Sequence, residues 1–422
     1  MNQPRRPRRT TTLALTLALG SALLASACGG GGGFEEESAS SAPASASGPV
    51  DLKMLFGSSG DAETDAVKAA ADAWAKKTGN KVTVTVASDM NQQLAQGFAS
   101  GNPPDVFYMD ASQYANYAKD GSLYPYADQI EDNEDFYEPL RETFTYEGKQ
   151  YCVPKDFSTL ALQINTDAWQ KAGLTDADVP KTWVDLTTVA KKLTTGGQVG
   201  LGLSTGIDRV GVFVVQNGGW WVNEDGTKAT GSNTEVREAL AYVQKNVKEG
   251  QFAFAPDLDS GWGGEAFGTG KAAMTIEGNW IKGALEKDYA DVKYKTVELP
   301  EGPEGKGTLS FTVCWGVSTD SKAQAQAVDL VKSLTSVEQQ LAFADAFGVI
   351  PSRQSAAEQY QQKFPEDAAF IAGADYGHGP INRPGLDQVI ADINSKLENL
   401  KGANLEQVLK SFDTNAQSAL EK

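Results

Sequence analysis

The chain has 422 residues, of which 37 are basic and 55 are acidic, giving a net charge of −18. This length suits two domains, and the acidic balance argues against nucleic acid as a partner, because phosphate binding needs a basic surface. One histidine and three cysteines are too few for a zinc site built from His and Cys. Calcium held by carboxylates stays possible, but no EF-hand spacing occurs, and we expect no metal and no cofactor.

The first 27 residues have the pattern of an export signal. Residues 1–12 contain four arginines and no acid, and residues 13–27 are apolar or small throughout. A basic N-terminal region, a short apolar run and small residues at the cleavage site are typical of a secretory signal peptide. The segment "PRRTTTLAL" is also weakly similar to a twin-arginine signal, so the sequence leaves the export route open.

The first cysteine, Cys28, directly follows the small residues "ASA". This pattern resembles a bacterial lipobox, in which the cysteine is lipidated and becomes the mature N-terminus, although the usual Leu is Ala25 here. Residues 29–49 are rich in Gly, Ser, Ala and Pro and predict a flexible tether between a lipid anchor and a folded body. An ordinary signal peptide cut near Cys28 is the alternative.

Strand and helix patterns alternate in the body, which we expect to begin near Val50. The first five elements read strand, helix, strand, helix, strand, an order that favours a parallel sheet with helices on both faces and a ligand at the carboxyl ends of the strands. We expect Thr182 to cap one helix and Gly250 to end another. The predicted strands are 51–57, 81–87, 104–109, 159–165 and 271–278, and the predicted helices are 61–80, 90–101, 182–193, 234–250, one or two within 323–348, and 386–400 and 405–422.

Seven segments of the body occur in a characteristic order. They are "KKTGNKVTV", "GNPPDVFYMD", "YEGKQYCVPKDFSTLALQIN", "KTWVDL", "EAFGTGKAAMTIEGNW", "FTVCWGVS" and "FGVIPSR". Together they resemble the extracellular solute-binding proteins of ABC importers, of the maltose- and oligosaccharide-binding type (family 1). The resemblance covers about 50–422.

The resemblance implies an α/β fold, a two-lobed periplasmic-binding-protein-like clamp of type II, in which each lobe is a sheet flanked by helices and hinge strands join the lobes. A sugar binds between the lobes, they close by a hinge motion, and the closed form docks on a membrane permease. We expect a monomer, exported and held to the outer face of the membrane by its lipid alone. The expected organisation is a signal peptide at 1–27, a lipidated cysteine and tether at 28–49, lobe 1 at 50–156 plus about 316–358, and lobe 2 at about 157–315 plus 359–422.

The two remaining cysteines fall near segments that resemble hinge strands, one after Pro154 and one around Cys314. If both segments are hinge strands, Cys152 and Cys314 lie near each other in the fold. Either one disulfide or two buried free thiols fits the sequence.

A sugar needs flat aromatic surfaces for its C–H faces. The chain has eight tryptophans, and three of them, Trp262, Trp280 and Trp315, match cleft aromatics of the family. Core packing is the alternative for each. Two glycines that often precede the aromatic at the third position are Val313 and Cys314 here, which departs from the family pattern.

Sugar hydroxyls need charged or amide partners. For Glu63 the alternative role is to stabilise the start of the first helix. For each charged residue among the ligand contacts named next, the alternative is a solvated side chain without a ligand. The remaining ligand contacts that the resemblance implies are Glu63, Asn91, Asp110, Asp156, Phe157, Asp208, Arg209 and Arg383.

Other functions compete with capture of a neutral di- or oligosaccharide. The solute could be a glycerol phosphate or a polyamine, and a tethered sensor would share the same anchor. The segment "GLSTG" fits a G-x-S-x-G nucleophile elbow with Ser204 and His378 as a hydrolase pair, and two carboxylates could serve a glycosidase. Because a five-residue pattern with two glycines arises easily in a chain with 43 glycines, we expect a binding protein and not an enzyme.

Overall fold

Two β-sheets with helices packed against them form the body of the protein. A computed structural model describes residues 48–421, so the predicted signal peptide, Cys28 and most of the tether lie outside the described residues. The strands are β1 Asp51–Gly57, β2 Lys81–Ala87, β3 Val106–Asp110, β4 Thr145–Tyr146, β5 Lys149–Gln150, β6 Pro154–Thr159, β7 Ala161–Asn165, β8 Val199–Leu203, β9 Phe252–Phe254, β10 Ala272–Glu277, β11 Tyr294–Val297, β12 Thr308–Val317, β13 Ile350–Pro351 and β14 Gly377–His378.

Helices of one to five turns connect these strands. The α-helices are α1 Asp61–Thr78, α2 Met90–Ala99, α3 Ala111–Lys119, α4 Glu138–Thr143, α5 Thr166–Lys171, α6 Trp183–Leu193, α7 Ile207–Gln216, α8 Thr234–Glu249, α9 Gly263–Gly268, α10 Ile281–Asp288, α11 Gln324–Leu334, α12 Val337–Phe347, α13 Ala357–Lys363, α14 Ala368–Ala372, α15 Asp387–Glu398 and α16 Leu405–Leu420.

The first sheet has the strand order β13-β6-β12-β3-β1-β2, with β14 beside β12. β1 is parallel to β2 and β3, while β12 is antiparallel to β3 and β6. The parallel part was expected from the alternation of strands and helices, because parallel neighbours need a crossover connection, supplied here by α1 and α2. α1 ends where Gly79 takes a left-handed conformation with φ of 76°, which glycine adopts without steric cost.

The second sheet has the strand order β11-β7-β10-β8-β9. Its central strand, β10, is buried along its whole length, as a strand covered on both faces should be. α6 lies close against β8, because a Cβ at Gly200 would overlap the backbone of Ala190. Trp183, Phe213 and Leu240 belong to the hydrophobic core on this sheet.

The chain passes between the two sheets with almost no linker. β6 pairs in the first sheet and β7 in the second, and only Leu160 separates them. The strand predicted at 159–165 is therefore wrong at its start, because residue 159 ends one strand and 161 begins another. β12 pairs along its length with strands of the first sheet, and the lobe boundaries expected from the sequence stay a prediction.

A disulfide bond joins Cys152 to Cys314, whose Cα atoms are 5.9 Å apart. Cys152 lies just before β6 and Cys314 lies within β12. The bond therefore ties two neighbouring strands of the first sheet at one end. Both residues are part of that sheet's hydrophobic core.

Most of the predicted helices are present with small shifts at their ends. Thr182 caps α6 through a reciprocal pair of hydrogen bonds with Asp185, and α8 ends at Gly250 as expected. Segment 323–348 forms two helices, α11 and α12, and two more close the chain. Across residues 48–421, no helix combines the length and apolar character needed to cross a bilayer.

Candidate functional site

A cavity of about 450 Å³ lies between elements of the two sheets. Its volume is within the usual range for small-molecule sites, about 300–1,000 Å³. The ends of β3, the middle of β6 and β12, the turn after β10 and the start of α7 surround it. We call it the cleft cavity; its lining residues are Asp110, Ala111, Ser112, Asp156, Phe157, Ser158, Asp208, Asn279, Trp280, Ser310, Phe311, Thr312, Val313, Val349 and Pro380.

Asp110 brings a carboxylate to this cavity from the carboxyl end of β3. It caps α3 by accepting hydrogen bonds from the backbone N–H of Ser112, at 2.8 Å, and from the Ser112 hydroxyl, at 2.5 Å. An aspartate at this position satisfies free N–H groups of the first helical turn. The cap fixes the carboxylate while leaving the residue exposed, so it can still accept hydrogen bonds from a ligand.

A second carboxylate, Asp156, enters the cavity from β6. It pairs with the neighbouring Lys155, whose ammonium lies 4.6 Å from the ring centroid of Tyr108. Burial raises the pKa of Asp156, although the Lys155 ammonium favours the charged form. The position of Lys155 therefore keeps a buried cation directly behind a carboxylate of the cavity wall.

Glu63, which is not among the lining residues of the cavity, forms an internal charge group with Lys155 and Asp156. Its carboxylate accepts hydrogen bonds from the Ser59 backbone and hydroxyl and from the Tyr108 hydroxyl, at 2.7–2.9 Å, and lies 3.4 Å from the Lys155 ammonium. Burial raises the pKa of Glu63, but Lys155 and these hydrogen bonds outweigh it and hold the pKa below its usual value. Glu63 is therefore committed to internal partners and supports Lys155.

A third buried carboxylate, Glu277 at the end of β10, organises the opposite wall. It is 0% exposed, and one oxygen accepts from the Arg209 guanidinium at 2.9 and 3.1 Å and from the Trp280 indole N–H at 3.1 Å. Its other oxygen accepts from the Ser204 hydroxyl at 2.6 Å. Charge-assisted hydrogen bonds of this kind are strong and directional, so Glu277 fixes the orientation of both Arg209 and Trp280.

Trp280 presents an aromatic surface to the cavity. It is 37% exposed, one of few large hydrophobic side chains in residues 48–421 with so much solvent contact. Its ring meets that of Phe311 edge to face, with centroids 5.1 Å apart. The Arg209 guanidinium lies 5.1 Å from the Trp280 ring and 5.4 Å from the Phe311 ring, a cation–π arrangement that holds the three groups together.

The structure brings five of the predicted site residues to the cleft cavity. Phe157 is among them, but its ring is buried against Tyr137, with centroids 5.2 Å apart. Arg209 stands behind Trp280 and does not itself line the cavity. The five are Asp110, Asp156, Phe157, Asp208 and Trp280.

Five other predicted residues lie elsewhere. Trp315 is 0% exposed and packs against Tyr108 in the core of the first sheet. Trp262 packs on a small cluster around Phe267. Arg383 lines a separate cavity, where it donates a hydrogen bond to the Glu224 carbonyl at 3.3 Å. Asn91 is exposed on α2, and Glu63 is the internal carboxylate described above.

Several lining residues were not predicted from the sequence. Phe311 is the largest, and it alternates with Val313 as the partly exposed face of β12. Asn279 directly precedes Trp280, and its amide donates to the Gly348 carbonyl at 3.0 Å. Large apolar residues at 309, 311 and 313 alternate with small polar ones in the sequence, and this period of two could have identified Phe311 once a strand had been predicted there.

Ser204 and His378, the hydrolase pair considered above, have different partners. The Ser204 hydroxyl donates to Glu277 and accepts from the Gly263 backbone N–H at 2.8 Å. The His378 ring packs against Trp220 in a tilted arrangement, with centroids 3.9 Å apart and an interplanar angle of 38°, and its Nδ1 lies 2.7 Å from the Gly379 carbonyl. The Ser204 hydroxyl is therefore bonded to a carboxylate and a backbone N–H, and the His378 ring is packed on an aromatic side chain. These contacts do not form the Ser–His hydrogen bond that a hydrolase pair needs.

The sequence profile of the family described as bacterial extracellular solute-binding protein matches residues 69–372, more than half of the chain. The chain belongs to this family. This solute-binding protein is 28% identical over 307 residues to the diacetylchitobiose binding protein DasA of Streptomyces coelicolor, covering 69% of this chain and 70% of that protein. It is 25% identical over 366 residues to the lactose-binding protein of Rhizobium radiobacter, covering 79% and 84% of the two chains.

The fold of this solute-binding protein also matches solved structures. The cyclic alpha-maltosyl-1,6-maltose binding protein of Arthrobacter globiformis superposes with a TM-score of 0.79 at 22% identity, over 89% of this chain and 100% of that one. The two-lobed α/β fold with a helix-flanked sheet in each lobe, expected from the sequence, is confirmed.

Proposed function

We propose that this solute-binding protein captures a neutral di- or oligosaccharide in the cleft cavity and delivers it to the permease of an ABC importer. One observation carries the proposal. The exposed Trp280 ring shares a single cavity with the carboxylates of Asp110, Asp156 and Asp208. An aromatic face suits the C–H face of a sugar ring, and carboxylates accept hydrogen bonds from its hydroxyls.

The charges near the cavity disfavour an anionic solute. The Arg209 guanidinium is paired with Glu277, and the Lys155 ammonium with Asp156 and Glu63. A glycerol phosphate would need cations that are free to pair with it. The relatives named for diacetylchitobiose and lactose agree with a sugar.

A polyamine is the second candidate solute. Three carboxylates line the cleft cavity. Asp156 is already paired with Lys155, so a ligand with two or more ammonium groups would pair with Asp110 and Asp208. Trp280 would then contribute a cation–π contact. The two candidates differ in charge, and a titration with each separates them.

Membership of the extracellular family supports export of the protein. We infer further that Cys28 carries the lipid that holds it at the outer face of the membrane and that the protein acts as a monomer. Binding without turnover is the expected behaviour of such a carrier.

The decisive experiment is a titration of the purified protein with mono- and disaccharides and with spermidine. Binding is measured by calorimetry and by the shift in melting temperature. A ligand at 100 times its dissociation constant should stabilise the fold by about 2.7 kcal/mol. Trp280→Ala should lose binding, while Trp262→Ala, a matched change outside the cleft cavity, should retain it. Saturable binding of spermidine but of no sugar would refute the sugar assignment, and product formed on long incubation would refute the carrier role.

A further inference from the structure

We propose that the solute carries an apolar substituent on its sugar, and that this group occupies a second chamber beside the cleft cavity. This inference rests on the sugar-binding function proposed above and deepens it. The chamber has a volume of about 200 Å³. It adjoins the cleft cavity through five shared lining residues, Ser112, Asp208, Ser310, Phe311 and Pro380.

The walls of this chamber are mostly hydrocarbon. Ile207, Leu309, Ile381 and Ile390 line it together with Trp220. These side chains belong to the core of the second sheet or pack against it. Their positions are therefore fixed by close packing, as in a protein interior, and the chamber is a formed feature of the fold.

The polar groups of the chamber away from the shared wall are Asn394 and His378. The Asn394 amide oxygen accepts from the Ile207 backbone N–H at 2.9 Å, and the His378 ring packs at a tilt against Trp220. Burial lowers the pKa of His378 below its usual value, so the ring is uncharged at neutral pH. Beyond the wall that it shares with the cleft cavity, which carries Ser112, Asp208 and Ser310, the chamber offers a sugar ring few hydrogen-bond partners, and each hydroxyl left unpaired there costs free energy.

The chamber is large enough to take a small apolar substituent. Cavities of about 150 Å³ lined by aliphatic and aromatic side chains bind benzene, so this chamber can take an aryl group or a smaller acyl group. Both share one chemistry, an apolar group attached to a polar ring. Phe311 lines both spaces and meets Trp280 edge to face, so a sugar stacked on Trp280 can extend such a group past Phe311.

The first test uses the unchanged protein and paired glycosides. Methyl and phenyl glycosides of glucose, cellobiose and lactose are titrated by calorimetry, and N-acetylglucosamine is compared with glucose to separate acyl from aryl groups. We expect the phenyl glycoside to bind at least about tenfold more tightly than its methyl partner, because an additional apolar surface leaves water. An advantage for N-acetylglucosamine alone would identify an acyl group as the occupant.

The second test fills each space in turn. Ile390→Phe adds bulk to the chamber, and we expect it to remove the phenyl advantage while methyl glycosides bind as before. Val349→Phe adds similar bulk to the cleft cavity, where Val349 lines the wall without reaching the chamber, and should weaken both glycosides equally. Circular dichroism confirms that each variant folds, and the comparison on the unchanged protein stands without them.

The outcomes separate this inference from the function on which it rests. Equal or weaker binding of every phenyl glycoside and of N-acetylglucosamine overturns the apolar substituent and leaves sugar capture intact. Affinity that rises from glucosides to cellobiosides without any phenyl advantage also overturns it, because a second sugar ring then fills the extra space. Failure of every glycoside and every sugar to bind overturns both proposals.

Discussion

At the scale of single residues, Glu277 links the aromatic surface of the cleft cavity to the core of the second sheet. It holds Arg209 and Trp280 through one carboxylate oxygen and Ser204 through the other. Removing one partner of a buried ion pair leaves an uncompensated charge. Glu277→Gln should therefore lower the free energy of unfolding by about 3 kcal/mol and weaken solute binding, measured by urea denaturation and calorimetry.

The matched control for this change is Asp167→Asn. Asp167 and Lys293 form an exposed pair at 4.0 Å, and such pairs contribute less than about 1 kcal/mol. A loss at Glu277 no larger than the loss at Asp167 would contradict the organising role of Glu277.

The internal charge group behind Asp156 predicts a pH dependence. The pKa of Glu63 is held below its usual value of 4.5, so its contribution to stability is present above that value and is lost as the pH falls through the folded-state pKa. Glu63→Gln should lower the free energy of unfolding by about 1–3 kcal/mol at pH 7, and the difference from the unchanged protein should shrink below about pH 4.5. Glu406→Gln, on an exposed helix face beside Lys410, should show no measurable change at either pH.

The residues of the site were only partly predictable. Asp110 and Trp280 were expected from the family resemblance, and both follow strands that the sequence marks clearly. Trp315 was expected at the cleft for the same reason as Trp280. The pairing of β12 with β3 instead directs its side chain into the core of the first sheet, where it packs on Tyr108. Which face of a strand a residue occupies depends on register and bulges, and β12 carries an irregularity between Val313 and Cys314. Residue patterns in the sequence do not reveal where such a shift in register occurs.

At the scale of elements, the Cys152–Cys314 bond connects the start of β6 to β12 across 162 residues. Cross-links that close long loops restrict the unfolded chain, and loss of such a bond costs about 2–4 kcal/mol. We expect a reducing agent to lower the melting temperature of the unchanged protein and of Cys28→Ser by equal amounts. Cys152→Ser/Cys314→Ser should already melt at the lower temperature and should not respond, and a response in that variant would contradict the role assigned to this bond.

Element prediction succeeded where local signals agreed and failed where they conflicted. Capping at Thr182 and the stop at Gly250 fixed α6 and α8 almost to the residue. α7 was missed because its sequence, "IDRVGVFVVQ", is rich in β-branched residues that favour strands. Burial of α7 in the hydrophobic core of the second sheet overrides that preference, as tertiary packing often does.

At the scale of the whole molecule, the net charge of −18 makes the ionic strength a test of the solute's charge. A neutral sugar gains nothing from the surrounding field, so its dissociation constant should change by less than about twofold between about 0.05 and about 0.5 M salt. Spermidine, measured in parallel, should bind more weakly as salt rises, because its attraction to an acidic protein is screened. A steep salt dependence for the sugar would contradict a neutral ligand.

The buried disulfide bond also constrains how the protein is made. Cys152 and Cys314 are at most 1% exposed once the first sheet has packed, and all five strands of the second sheet lie between them in the chain. Thiol–disulfide exchange requires that an oxidant reach the thiolates. The disulfide bond therefore forms before or during packing of the hydrophobic core of the first sheet. A chain that crosses the membrane unfolded arrives outside with both thiols accessible, whereas a chain that folds first carries them across already enclosed.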